Sequence, residues 1–295
     1  MDNLLSIKTL CDNDIDFVTE ISRKEGFAPG VGDLGIYKNT DKQGLWVGWW
    51  NGNPIGCIAG VRYNENYGFV GLYLVIEKYR GRGFGLQLWN KALAHLSDLP
   101  CVGLEAVPER ISDYSKWGFT ISSKTTRWQW LGDGKLLEES FTSDDLSNFS
   151  FVEGSSIPSN AVEQFDEKRE TTPRPHFLSK WLNHPAGKVI AVIDKKGRCH
   201  GFGRIRPCLL QRGEGWRIGP LMADSPKLLK ILLKKLIYSH PGLIIIDTPG
   251  INKSASELFK DLGFKSESET FRMYRGYQPP VSMKDVYGLA CLELG

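Results

Sequence analysis

No apolar run in the chain approaches the roughly 20 residues that a bilayer-spanning helix needs, and the opening MDNLLSIKTLCDND turns acidic before a signal-peptide core can form. The expectation is a cytoplasmic protein without a membrane partner. Paired cysteines are also missing. Cys11, Cys57, Cys101, Cys199, Cys208 and Cys291 show no C-x-x-C spacing and no adjacent histidine pair, which favours reduced, buried thiols over a metal site or a disulfide framework. His176, His184, His200 and His240 fall at no ligand spacing and read as structural, so no metal is expected. There is no polybasic block either: 37 basic residues against 34 acidic leave a net charge of +3 spread along the chain, and nucleic acid is not the default partner. What is present is the composition of an ordinary globular protein, in 295 residues that suggest about two compact units.

Ile15, Val18 and Ile21 recur every three residues behind Asp and Asn capping candidates, which predicts a helix. The glycine-rich Gly26 to Gly35 reads as a loop able to line a pocket, with Asp33 a group that could attract a cationic amine. The run LWVGWWNGNPIGCIAGVRYN reads as two strands joined by a turn at Asn51 to Pro54, and YGFVGLYLVI as a third strand. Leu86, Trp89, Leu93 and Leu96 then fall on one helical face. The polar, serine-rich residues 131 to 150 read as a connection, dividing the chain into 1–132, a linker 133–150, and 151–295. Alternating strands and helices argue an α/β or α+β layered fold. An internal repeat supports the division: Gly118-Phe119, Thr125 and Arg127 match Gly263-Phe264, Thr270 and Arg272 at an offset of 145, and Gly71-Leu72-Tyr73 resembles Gly219-Pro220-Leu221.

The sequence VGLYLVIEKYRGRGFGLQLW places a strand, a glycine loop and a helix start in succession. Glycine lets backbone N–H groups converge on an anion, and a helix N-terminus adds the positive end of its dipole. A phosphate is the expected ligand. The Gly-Lys-Ser or Gly-Lys-Thr of a Walker loop is missing, and Gly81, Gly83 and Gly85 are spaced G-x-G-x-G rather than as a dinucleotide fingerprint. The remaining pattern is Arg-x-x-Gly-x-Gly at Arg80, Gly83 and Gly85.

With Val75 in register before it, and with Tyr114, Gly118 and Phe119 meeting a second element, Tyr-x-x-x-Gly-Phe, the sequence resembles the GNAT-type N-acetyltransferases. The resemblance implies two tandem GNAT-like domains, each a mixed central sheet flanked by helices, the second degenerate. It implies acetyl-coenzyme A as co-substrate, its pyrophosphate on Arg80, Gly81, Arg82, Gly83, Phe84 and Gly85, and its pantetheine arm beside Tyr73, Leu74 and Val75. Tyr114 stands where the family's thiolate-protonating tyrosine sits. Glu105 and, less directly, Glu65 are the carboxylates to consider as a base. In the second copy Met222 to Pro226 has no arginine-glycine loop, Asp224 would repel a pyrophosphate, and Phe259 replaces Tyr114, so one active site per chain is expected. The acceptor reads as a small-molecule or peptide amine. A non-catalytic acyl-coenzyme A sensor or scaffold, and a nucleotide-binding protein, remain as alternatives.

Overall fold

The computed structural model describes residues 5–135 and 147–295, so most of the connection expected at 133–150 lies outside the described residues. Ser6–Thr9 (β1) is followed by helices Ile15–Lys24 (α1) and Asp33–Thr40 (α2), and α1 buries Val18 and Ile21 as its periodicity requires. Leu45–Trp50 (β2) turns through Asn51 and Gly52, both at positive φ, into Asn53–Arg62 (β3). Tyr67–Val75 (β4) runs antiparallel to β3, and helix Phe84–His95 (α3) crosses over to Cys101–Ala106 (β5), parallel to β4. The short helix Ile111–Ser115 (α4) leads into Thr120–Gly132 (β6).

The second half repeats this order. Phe149–Glu153 (β7), Ser159–Glu167 (α5), Pro175–Asn183 (α6), Lys188–Asp194 (β8), Cys199–Leu209 (β9) and Glu214–Ala223 (β10) come first. Pro226–Ile237 (α7), Gly242–Pro249 (β11), Lys253–Asp261 (α8) and Lys265–Gly276 (β12) complete it. Among the described residues the strand Val286–Gly288 (β13) has no counterpart in the first half.

All the described strands join one sheet in the order β1-β2-β3-β4-β5-β12-β6-β11-β10-β9-β8-β7, with β13 on β10. The halves therefore exchange their last strands: β12 pairs with β5, and β6 pairs with β11. Where β6 meets β12, Thr125 lies directly opposite Thr270, the residues matched by the sequence repeat, so its pseudo-two-fold axis passes through this pair. The exchange leaves neither β5 nor β11 with an unpaired edge.

Helices cover both faces of the sheet. On one face of the first half, α3 packs Leu88, Trp89 and Ala92 against β3 to β5. On the other, α1 and α2 share a core with Phe177 and Trp181 of α6 and with Ala290, Cys291 and Leu294 of the C-terminal tail. Each large buried aliphatic side chain contributes roughly 1.5–3 kcal/mol before ordering entropy is subtracted, and the aromatic ones, with more area, contribute more. Among the described residues no helix is long and apolar enough to cross a membrane.

Candidate active site

The parallel pairing of β4 with β5 runs from Tyr67–Cys101 to Val70–Leu104 and stops there, while β4 stays paired with β3 as far as Val75. Among the described residues no strand lies beside the main chain of Gly71 to Val75 on its β5 side, although the Val75 carbonyl accepts from Arg80. A register shift opposite Cys57 and Ala59, with Leu72 at φ 47°, marks the point of divergence. The opening leads into a cavity of about 820 Å³, lined on one wall by Val70 to Val75 and on the other by Leu104 and Glu105. That is the size of an ordinary ligand site.

At the outer end stands the glycine loop. Gly81 and Gly83 have φ of 74° and 78°, a conformation that a side chain would strain, and nothing lies within 4 Å of where one would begin. Among the described residues no side chain caps α3, whose N-cap is Gly83, and uncapped N–H groups at a helix start suit an anion. Gly85 admits the Tyr73 hydroxyl, which would lie 2.7 Å from a Cβ there. Arg80 borders the cavity but is already engaged, donating from Nε to the Val75 carbonyl (2.7 Å) and from Nη2 to Glu25 Oε1 (2.5 Å). Arg82 turns elsewhere, its guanidinium 5.8 Å and 5.7 Å from the Trp50 and Tyr79 rings. Leu74 is buried but borders the cavity, whereas Phe84 is buried and is not in the cavity wall. Leu86, expected on the buried helical face, is instead 52% exposed and borders the cavity mouth with Val107 and Trp117, because the face against β3 is taken by Leu88 and Ala92.

Tyr114 borders the cavity from α4, its ring 5.2 Å from Trp89, which in turn lies 5.6 Å from the Tyr73 ring. Burial, reinforced by neighbouring Tyr73, pushes its phenol up to about 12. It is therefore a protonated donor at neutral pH.

The carboxylates read from the sequence have other occupations. Glu105 borders the cavity, but its Oε1 accepts from Arg272 Nε (2.8 Å) and the Thr125 hydroxyl (3.1 Å), and its Oε2 from the Thr270 hydroxyl (3.0 Å). A carboxylate so committed is a structural anchor between the halves, not a free base. Glu65 sits exposed in the turn between β3 and β4, at the end of β4 remote from the opening, and is not in the cavity wall. Asp33 is fully buried against Arg206, with Nε to Oδ1 at 2.8 Å and Nη2 to Oδ2 at 2.9 Å, which removes it as an amine attractor. The loop around it does contribute: Gly26 and Phe27 line the cavity.

Three cavity-lining carboxylates that sequence reasoning missed, Asp247, Glu267 and Glu293, come from the second half. Asp247 holds Arg127 (Nε to Oδ1, 2.7 Å) and Arg217 (Nη2 to Oδ2, 2.9 Å). Arg127–Asp247 is the pseudo-symmetric twin of Arg272–Glu105, since each arginine lies directly across from its carboxylate in the exchanged strands. The matching arginines were the only signal in the sequence, and nothing there named their partners.

The corresponding opening in the second half is filled. β10 and β11 pair in parallel from Trp216–Ile244 to Ile218–Ile246, and β13 then lies between them. It pairs with Leu221 and Met222 of β10, while the Thr248 hydroxyl donates to the Tyr287 carbonyl (2.7 Å) and Leu289 N–H to the Asp247 carbonyl (2.8 Å). The N-terminus of α7 is capped by Ser225, Asp224 contacts His200 and Arg169, and Phe259 is buried against Trp128 and Phe264.

A profile of the acetyltransferase (GNAT) family matches residues 15–119, and a profile of an acetyltransferase (GNAT) domain matches residues 162–288. The chain is 30% identical over 284 residues to holothin acyltransferase of Pseudoalteromonas sp. (strain SANK 73390), which spans 94% of this chain and 90% of that protein. In fold it is similar to a tandem GNAT protein from the clavulanic acid biosynthesis pathway, with a TM-score of 0.63 at 14% identity over 92% of this chain and 98% of that one. A Pyrococcus horikoshii protein of proposed acetyltransferase activity superimposes with a TM-score of 0.79 at 21% identity, over 99% of this chain and 96% of that one.

Proposed function

This chain belongs to the GNAT acyltransferase family, with two GNAT domains in tandem, and from that premise we propose that it is an acetyl-coenzyme A-dependent N-acyltransferase with one active site, between β4 and β5. The observation that carries the proposal is the continuity of the open Gly71–Val75 edge of β4 with the uncapped start of α3 in a single cavity. The α3 N-terminus and the Gly81–Gly85 backbone would hold the pyrophosphate, and the free edge of β4 would take the pantetheine amide groups as an added strand would be taken. Acetyl-coenzyme A supplies the thioester carbon that is attacked.

The protein groups then act on protons and orientation. As the amine nitrogen bonds to the carbonyl carbon and the carbon–sulfur bond breaks, Tyr114 donates its proton to the departing thiolate and is reprotonated from solvent through the mouth. The surplus amine proton leaves through water or a lining carboxylate. An amine acceptor is supported by the inner wall. Beyond the mouth, where Arg80, Arg110 and Lys116 stand, the buried lining carries the carboxylates of Glu105, Asp247 and Glu293 against Arg127, with exposed Glu267 at its border. The compensating Arg217 and Arg272 stand behind that wall. Holothin, for which the similar protein is named, is the first acceptor to try.

Calorimetric titration of acetyl-coenzyme A, with Tyr114→Phe alongside, tests the reading. Binding in both proteins, with turnover of an amine lost only in the variant, is the expected result. Binding without transfer to any amine would favour a sensor or scaffold, and no binding by folded wild type would refute the proposal.

A further inference from the structure

We propose that the C-terminal tail builds the acceptor end of the active site, and that Glu293 is the carboxylate that binds and orients the acceptor amine. The inference rests on the acyltransferase reading of the β4–β5 opening. It gives the second half a function: its filled opening holds the strand from which the tail reaches the first half.

The tail's path is fixed by contacts at both ends. A side chain at Gly219, beside the filled opening, would collide with the Leu289 carbonyl, and one at Gly71, where β4 leaves β5, would collide with the Glu293 carbonyl. These two glycines are one of the pairs matched between the halves in the sequence, and each clears a passage for the same segment. Beyond Glu293 the Tyr63 hydroxyl donates to the Leu294 carbonyl (3.0 Å), and Leu294 is fully buried among core residues of the first half.

The Glu293 side chain is built to be held from behind. Arg217 donates to Oε1 from Nη1 (3.1 Å) and to Oε2 from Nη2 (3.4 Å), and the Tyr37 hydroxyl donates to Oε2 (3.2 Å). Neither donor residue lines the cavity, whereas Glu293 does, at 5% exposure. A carboxylate offers about four acceptor positions, so three donors leave one for an amine that enters from the cavity. The four residue steps from Gly71 to Val75 span roughly 13 Å of strand, which sets Glu293 at the far end of the slot from the pyrophosphate loop. There an amine N–H donated to Glu293 would turn the nitrogen lone pair toward the thioester. The role is binding and orientation, and the transfer step is unchanged.

The test uses full-length Glu293→Gln and Glu293→Asp with Tyr37→Phe as comparator. Acetyl-coenzyme A affinity is read by calorimetry, and thiol release is followed against a panel of primary amines that includes holothin. A lost hydrogen bond to a charged acceptor predicts an acceptor KM raised about 10- to 100-fold in Glu293→Gln and less in Glu293→Asp. Acetyl-coenzyme A affinity should stay within about twofold in both, and Tyr37→Phe, which loosens the carboxylate without removing it, should move KM by less than about threefold. An unchanged KM in a folded Glu293→Gln overturns the assignment and leaves the acyltransferase reading standing. An equal rise in Tyr37→Phe overturns it in favour of a structural role. If wild type binds acetyl-coenzyme A but turns over no amine in the panel, the assignment falls with the transfer reading; if wild type does not bind it, the premise itself is refuted.

Discussion

Replacing Asp247 by asparagine removes a charge shared by guanidiniums from both halves. Asp247 is 1% exposed and accepts from Arg127 at 2.7 and 3.1 Å and from Arg217 at 2.9 Å. Each such pair corresponds to about 4 kcal/mol of attraction at an effective dielectric near 20. Arg217 would keep Glu293 and Arg127 would keep the Gly26 carbonyl, so the loss is partial. Breaking one side of a buried pair costs about 3–5 kcal/mol. In urea titration the midpoint should fall by that free energy divided by the slope, with the slope itself unchanged. Glu269→Gln provides the contrast: its pair with Lys124 is equally short but both side chains are nearly half exposed, so its removal should cost less than about 1 kcal/mol. Acid supplies a second reading of the same interaction. Arg127 and Arg217 outweigh the burial of Asp247 and lower its pKa to about 2. A carboxyl lowered on folding stabilises above its unfolded pKa, near 4, and that contribution, about 2 kcal/mol, is lost as pH falls toward 2. The gap between wild type and variant should therefore narrow across that window. A loss below about 1 kcal/mol at neutral pH, or a gap that ignores acid, would refute the reasoning.

Gly83→Val places a branched side chain at φ 78° beside the α3 N-terminus and should weaken acetyl-coenzyme A binding by about tenfold or more in a calorimetric titration, with the fold retained. Tyr114→Phe should lower kcat by about 10²- to 10⁴-fold with coenzyme affinity within about twofold. Because burial raises the Tyr114 phenol to about 12, its ionisation should impose no fall in rate between pH 7 and 10; a steep alkaline limb in that range that vanishes in Tyr114→Phe would contradict the assignment. Titration to saturation should give one acetyl-coenzyme A per chain, since β13 occupies the second opening, and a stoichiometry of two would show that β13 yields.

The strand, glycine loop and helix around Arg80 to Gly85 were legible in the sequence because their signals are local: a buried run, residues that permit positive φ, and helical spacing. The repeat was legible too, and the register of Thr125 against Thr270 gives its offset a physical meaning. The strand exchange was not. β6 and β12 carry the same pattern, and nothing in a strand's own residues says whether β5 or β11 lies beside it. The partners of Glu105 and Asp33 were illegible for the same reason. Arg272 and Arg206 lie 167 and 173 positions away, so nothing local marks either carboxylate as half of an ion pair. Glu293 was invisible as a site residue because only the tail's path brings it to Gly71.

That exchange decides whether either half can stand alone. In a fragment of residues 1–135, β6 could swing back onto β5, and Arg127, the twin of Arg272, could replace it against Glu105. The hydrogen bonds and the ion pair would be recovered. The apolar cover would not. Phe69, Leu72 and Leu74 share their core with Phe177, Trp181, Ala290, Cys291 and Leu294, all from the second half. Two aromatic side chains alone bury about 300–500 Å², which is roughly 8–12 kcal/mol of apolar burial. Even the share of that facing the first half is comparable to the 5–15 kcal/mol by which a folded protein is stable. The fragment should therefore aggregate or bind a hydrophobic dye, and residues 147–295 added in trans should restore a cooperative transition. A fragment that unfolds cooperatively as a monomer would show that strand exchange, and not the shared core, is what ties the halves together.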